Sequence, residues 1–314
     1  MTVEANEISI IRTYDAPVEA VWAAWTDPTQ TGQWWGPRGF SLTTHSKDLR
    51  PGGSWSYTMH GPDGVDYPNK TQYLEVVDRA KLVYDHGAND DRPPMFRVTA
   101  LFSETGGKTR MDMTMRLPTR EAAEQTRAFI RQAGGDATWD RLAEYLARKS
   151  SGKEAFVINR SFEAPIELLF SMWTNPERLS QWLPPAGFQM RFIQADIRAG
   201  GATLFSMSGC GIEFYARADY LAVDKPRRIA YTQQFCDKDG NVARHPMAPT
   251  WPATMLITVD LNEEGSDRTR ATVTCEPHGA TTAEELRMFA ESRGGMTQGW
   301  TGSFDKLDAY LSSR

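Results

Sequence analysis

The chain has 314 residues, with 35 Lys and Arg against 40 Asp and Glu, and a net charge of -5 at pH 7. That balance argues against a phosphate-binding surface, which needs clustered cations to release counterions, so no nucleic-acid partner is expected. With 40% hydrophobic and 11% aromatic residues, the composition is that of a globular protein about two domains long, which excludes general disorder.

In chain order, the apolar run from Ile8 to Thr13 predicts a first strand, and Ala16-Pro17 suits the start of a helix. Val18, Val21, Trp22 and Trp25 then fall at i, i+3, i+4 and i+7, a single buried helical stripe. Asp27-Pro28 sets a capping side chain before an N1 proline and predicts a second, short helix. After Gly39 the period drops to two. Trp55, Tyr57 and Met59 alternate with Ser54, Ser56 and Thr58, the pattern of a half-buried antiparallel strand. Further strands are expected over Tyr73 to Val77, Leu82 to His86, Phe96 to Phe102 and Thr109 to Met115, with Thr105-Gly106-Gly107 as a hairpin turn. Helices over Thr119 to Arg131 and Asp136 to Lys149 close this half.

The second half repeats the first. Arg12-Thr13-Tyr14-Asp15-Ala16-Pro17 aligns with Arg160-Ser161-Phe162-Glu163-Ala164-Pro165, an offset of 148 from Pro17 to Pro165. The register holds without a gap through Trp25 and Trp173, Trp34 and Trp182, Gly39 and Gly187, and Gly52-Gly53 and Gly200-Gly201. It then slips by one, pairing Tyr73 with Tyr220 and Tyr84 with Tyr231. The same elements follow: a strand over Ala155 to Ser161, a stripe of Ile166, Leu169, Phe170 and Trp173, and a helix start at Asn175-Pro176. Strands come next over Tyr215 to Val223, Arg228 to Phe235, Thr254 to Leu261 and Arg270 to Cys275. Thr282-Ala283-Glu284-Glu285 is a capping box for a helix to Ser292, and Trp300, Phe304, Leu307 and Leu311 form one stripe on a last helix over Gln298 to Ser312. Two domains are therefore expected, 1–150 and 151–314, joined at Ser150-Ser151-Gly152.

Strand, two short helices, a run of antiparallel strands and a terminal helix make an α+β order that resembles the helix-grip, or START-like, superfamily. Asp48-Leu49-Arg50-Pro51-Gly52-Gly53, Gly61 to Pro68, and Lys81-Leu82-Val83-Tyr84 narrow the resemblance to the activator of heat-shock-protein-90 ATPase homologue family. The second copy carries Asp196-Ile197-Arg198-Ala199-Gly200-Gly201, Pro226 to Tyr231, and Gly299-Trp300 at matching places. The resemblance implies, in each copy, a curved antiparallel sheet wrapped around a long C-terminal helix with an apolar cavity between them.

Given such a cavity, the inward positions become candidate ligand-binding residues: Trp55, Tyr57, Met59, Tyr84, Met111, Met113 and Trp139 in the first copy. Phe205, Met207, Tyr231, Phe235, Met255, Trp300 and Phe304 are the candidates in the second. Aligning Asp140-Arg141-Leu142 with Asp305-Lys306-Leu307 sets Gly135 against Trp300, which predicts a roomier first cavity. The competing expectation for all these residues is a filled core, since inward strand positions are apolar with or without a void.

Asp48 with Arg50, and Asp196 with Arg198, sit two apart before a Gly-Gly turn and are expected to be surface ion pairs. His45, His60, His86, His245 and His278 have no histidine opposite them in the other copy, although His60 or His86 at a strand end has the chemistry of a general acid or base. No catalytic triad, phosphate-cradling loop or metal-ligand spacing is present in the sequence, and no cofactor or metal is expected. Cys210, Cys236 and Cys275 lack Cys-x-x-Cys spacing and are expected to be buried free thiols. The acidic opening from Met1 to Pro17 has no apolar leader core, and no run reaches the roughly 18 apolar residues of a membrane span, so a cytoplasmic protein is expected. The favoured function is binding of a small apolar or amphipathic molecule. Its rivals are a cyclase- or aromatase-like enzyme and a protein-interaction or co-chaperone-like module.

Overall fold

A computed structural model describes residues 4–88, 92–132, 137–245 and 248–313. The chain divides into two compact units, Met1–Gly152 and Lys153–Arg314. Both are α+β, each a seven-stranded antiparallel sheet with four helices among the described residues.

The first unit runs β1 (Glu7–Tyr14), α1 (Val18–Thr26), α2 (Pro28–Thr31), β2 (Ser41–Lys47), β3 (Ser54–His60), β4 (Asp66–Val77), β5 (Lys81–Ala88), β6 (Phe96–Thr105), β7 (Lys108–Arg116), α3 (Arg120–Gln132) and α4 (Ala137–Ser151). Its strand order is β1-β7-β6-β5-β4-β3-β2, so β2 through β7 form a meander and β1 returns to pair with β7. The second unit runs β8 (Phe156–Phe162), α5 (Ile166–Thr174), α6 (Pro176–Trp182), β9 (Phe188–Ala195), β10 (Ala202–Gly209), β11 (Ile212–Asp224), β12 (Arg228–Cys236), β13 (Met255–Gly265), β14 (Arg268–Pro277), α7 (Ala283–Glu291) and α8 (Arg293–Ser312). Its order, β8-β14-β13-β12-β11-β10-β9, is the same meander. Each is a helix-grip unit.

The repeat extends to single hydrogen bonds. The Trp34 indole donates to the Ala24 carbonyl at 3.0 Å, and Trp182 donates to Met172 at 3.1 Å, so each tryptophan locks the short helix onto the one before it. Thr109 and Thr269 donate their hydroxyls to the carbonyls of Ala16 and Ala164 at 2.7 and 2.8 Å, tying β7 and β14 to the chain just ahead of the first helix of each unit. In the turn before β3, Gly52 N–H donates to the Tyr73 carbonyl, and Tyr73 N–H donates to Gly53. Gly200, Tyr220 and Gly201 repeat that exchange.

Several boundaries differ from the expected ones. The strands β2, β9 and β10 are not among those expected from the sequence: β2, Ser41–Lys47, has Leu42 as its one apolar residue, whereas β9 does alternate Phe188, Met190 and Phe192 with Gln189 and Arg191. The strand β4 starts at Asp66, ahead of its apolar stretch. Helix α8 begins at Arg293 although Gly294, Gly295, Gly299 and Gly302 lie within it, residues whose weak helical preference hides the first turns. The expected linker is partly helix: α4 runs to Ser151, and Gly152, at φ 69°, ends it by donating its N–H to the Arg148 carbonyl. Cys236 and Cys275 are buried free thiols, but Cys210 is exposed at φ 51° in the β10–β11 hairpin turn. Gly135 and Asp136 lie outside the described residues.

Candidate functional site

In the first unit, Ile10 on β1, Tyr84 and His86 on β5, Val98 on β6 and Met113 on β7 face Ile130 of α3 and Trp139 of α4 across a cavity of about 750 Å³. A loop closes one wall with Trp35, Gly36 and Pro37. That loop is pinned from α4: the Arg141 guanidinium donates to the carbonyls of Gly36 and Pro37 at 2.9 and 2.7 Å. Burial, reinforced by Arg38, lowers the Arg141 pKa to about 10. Arg38 itself pairs with Glu144 on α4 at 2.7 Å, a second tie between loop and helix. In the second unit Lys306 of α8 donates to the Pro184 carbonyl at 2.8 Å and Ser303 to Leu183 at 2.7 Å, the same clamp built from other residues.

Of the first-copy candidates, Met59, Tyr84, Met113 and Trp139 line the cavity. Trp139 stacks on Trp25 with centroids 5.3 Å apart. Trp55, Tyr57 and Met111 do not line it. Trp55 and Tyr57 stack on each other at 4.0 Å, and the Lys47 ammonium sits 4.2 Å over the Trp55 ring. Met111 faces Phe102, at the end of the sheet that α1 covers by packing Trp22 and Trp25 edge-on against Phe102. In the second copy Phe205, Met207, Tyr231, Phe235, Met255 and Trp300 line a cavity of about 310 Å³. Phe304 lies behind it, edge-on to Phe162 at 5.4 Å. Trp251 and Met296 also wall this smaller space.

Of the polar lining of the first cavity the sequence pointed to Tyr84 and His86 but not to Asn69, which lies ahead of the expected strand start at Tyr73. His86 stacks on Phe96 at 4.8 Å, and burial, helped by Arg92, lowers its pKa to about 4, so the ring is neutral near pH 7. Burial drives the Tyr84 and Tyr231 hydroxyls well above the usual phenol range, and both stay protonated. Burial also raises the Cys275 thiol, on the second cavity wall, to about 12. His60 is not part of the cavity lining: its Nδ1 lies 2.6 Å from an Asp66 oxygen and its Nε2 2.8 Å from the Thr43 hydroxyl. Asp48–Arg50 and Asp196–Arg198 are exposed ion pairs of 2.8 and 3.0 Å. Among the described residues no group of three or more His, Cys, Asp or Glu is placed to hold a metal, and no helix is long and apolar enough to cross a membrane.

Set beside known proteins, the chain matches no curated protein. A protein from Arthrobacter aurescens with a solved structure is 27% identical, aligning 48% of this chain with 91% of its own at a TM-score of 0.43. One from Mycobacterium smegmatis is 23% identical over 50% of this chain and 90% of its own, at 0.42. An AHSA1 protein from Silicibacter pomeroyi is 20% identical over 50% of this chain and 97% of its own, at 0.40. The family model for Activator of Hsp90 ATPase homolog 1-like protein matches twice, over residues 15–147 and 163–312. The chain therefore belongs to that family, as two tandem copies of its domain.

Proposed function

We propose that the chain binds a small, largely apolar molecule between sheet and helices of its first unit, and a smaller one in its second. The observation that carries this is the 750 Å³ cavity, within the roughly 300–1,000 Å³ of small-molecule sites. Protein interiors otherwise pack to near-crystalline density, so a void of that size is a feature rather than a defect. Its walls combine Trp, Met, Ile, Val, Phe and Pro side chains with polar ones such as Asn69, Tyr84, His86 and Gln125, apolar bulk beside groups that fix a ligand's orientation.

The enzyme reading draws on one observation, the neutral His86 imidazole on the cavity wall. A base of pKa about 4 accepts a proton weakly at neutral pH, which favours a hydrogen-bonding role over general-base catalysis. An interaction module with filled cores has no need of either cavity.

Titration with naphthalene at several temperatures tests the binding proposal. It predicts roughly micromolar affinity, quenching of Trp35 and Trp139 fluorescence, and a negative heat-capacity change. Absence of binding heat and of any heat-capacity change contradicts it.

A further inference from the structure

The two cavities differ in polarity as well as in size, and part of the difference lies on neighbouring strands of the sheet. Register fixes the equivalences: Tyr57 pairs with Asn69 as Phe205 pairs with Ala216, and Trp55 pairs with Thr71 as Thr203 pairs with Ala218. Asn69 and Thr71 in the first unit thus become Ala216 and Ala218 in the second, and Tyr57 becomes Phe205. Tyr84 persists as Tyr231, and His86 is matched by Gln233. On the cavity wall itself the first unit carries the Asn69 amide where the second has the Ala216 methyl, while the Tyr57 and Thr71 hydroxyls lie outside the lining.

These groups are buried without full satisfaction. Tyr84 is 3% exposed and Asn69 8%, and both line the cavity. Asn69 donates one amide hydrogen to the Tyr67 carbonyl at 2.9 Å. The Tyr84 hydroxyl, the His86 ring nitrogens and the remainder of the Asn69 amide make no hydrogen bond to any described residue. Tyr57 and Thr71 are buried beside each other outside the lining. Buried polar groups are nearly always satisfied by protein, water or ligand, and here the open side is the cavity.

We propose that the first cavity recognises an apolar molecule ending in an uncharged oxygen function, a hydroxyl or a carbonyl, which docks against Asn69, Tyr84 and His86. The assignment rests on the binding proposal above and adds the ligand's polar end. A neutral imidazole and a phenol both donate and accept, so they satisfy a hydroxyl or a carbonyl alike. An anion is disfavoured: the cation on this wall, Arg92, is an exposed side chain whose Nε is given to the Gly87 carbonyl, and the Asp66 carboxylate shares the lining. In the second unit the lining holds Gln233 and Tyr231 but no Lys, Arg or His among the described residues.

Naphthalene, 2-naphthol and 2-naphthoate, titrated against the full chain near neutral pH, separate the possibilities. The expected result is 2-naphthol binding about tenfold tighter than naphthalene, one or two net hydrogen bonds, with 2-naphthoate no tighter than naphthalene. Tyr84→Phe combined with His86→Leu should bring the naphthol-to-naphthalene ratio to near one, whereas His86→Gln should keep most of it. Should the double variant unfold, Tyr84→Phe alone carries the comparison, with the ratio falling about threefold. Equal binding of naphthalene and 2-naphthol overturns the assignment while leaving the binding proposal standing, as does a preference that survives the double variant once Tyr231→Phe and Gln233→Leu have removed the matching groups of the second cavity. Tightest binding by 2-naphthoate overturns it in favour of an anion site at Arg92. If none of the three binds, the binding proposal fails and takes the assignment with it.

Discussion

His86 connects the cavity to the stability of the first unit. Burial and Arg92 hold its pKa at about 4 in the folded protein, against about 6.5 for an unperturbed imidazole. Because the folded value is the lower one, the unfolded chain binds the extra proton between those values. The stabilisation is therefore complete above about pH 6.5 and is lost as pH falls towards 4, by up to the order of 3 kcal/mol. Other groups act elsewhere. Asp27, lowered to about 2 by hydrogen bonds from Thr29 and Gln30, is lost at more acid pH, and Lys47, lowered to about 7 by burial, acts above neutrality. His245 in the second unit is lowered too, by burial alone. Denaturant unfolding at pH 5 and pH 7 should show a smaller loss for His86→Gln than for the parent, and an identical loss would mean that His86 is not desolvated. The sequence marked His86 as a strand-end histidine with acid–base chemistry. It did not mark Arg92 or the stacking on Phe96, which are contacts across the fold and leave no periodic trace.

Each sheet is held at one edge by the turn before β3 or β10. An added Cβ on Gly53 would lie 2.3 Å from the Asp48 carbonyl oxygen, and on Gly201 2.3 Å from that of Asp196. Backbone oxygen cannot retreat as a flexible side chain can, so either Gly→Ala change forces the turn open and breaks the exchange with Tyr73 or Tyr220. Gly53→Ala and Gly201→Ala should each cost about 1–3 kcal/mol, confined to its own unit, as read by calorimetric unfolding of the full chain. A cost near zero would show that the close approach is not real. These turns were legible because a paired glycine in a repeated position needs a backbone reason, and so were strands with one apolar face, such as β3 and β7. The clamp from Arg141 and Lys306 to the loop ahead of β2 or β9 was not. A polar residue on a helix carries no sign of which distant carbonyls it will meet, and the loop itself has no periodicity.

At the level of the whole chain, duplication has given two closely matched frameworks with different interiors. The frameworks agree down to the Trp34 and Trp182 locks, whereas the cavities measure about 750 and 310 Å³. Trp300, on the second cavity wall, was legible as a large inward side chain on the final helix. The size of the void was not, since inward apolar positions read the same in a filled core. Val98 and Ile257 offer the direct comparison: they face Tyr84 and Tyr231 in the same register, and each lines its cavity. Enlarging a side chain in a close-packed core costs about 1–3 kcal/mol, while an existing void accepts it. Equilibrium denaturant unfolding of Val98→Phe therefore tests the cavity most directly. The account predicts a first unit no less stable than the parent, because the ring extends into open space; a loss of about 1–3 kcal/mol would mean that the first unit is solid where the ligand is proposed to sit.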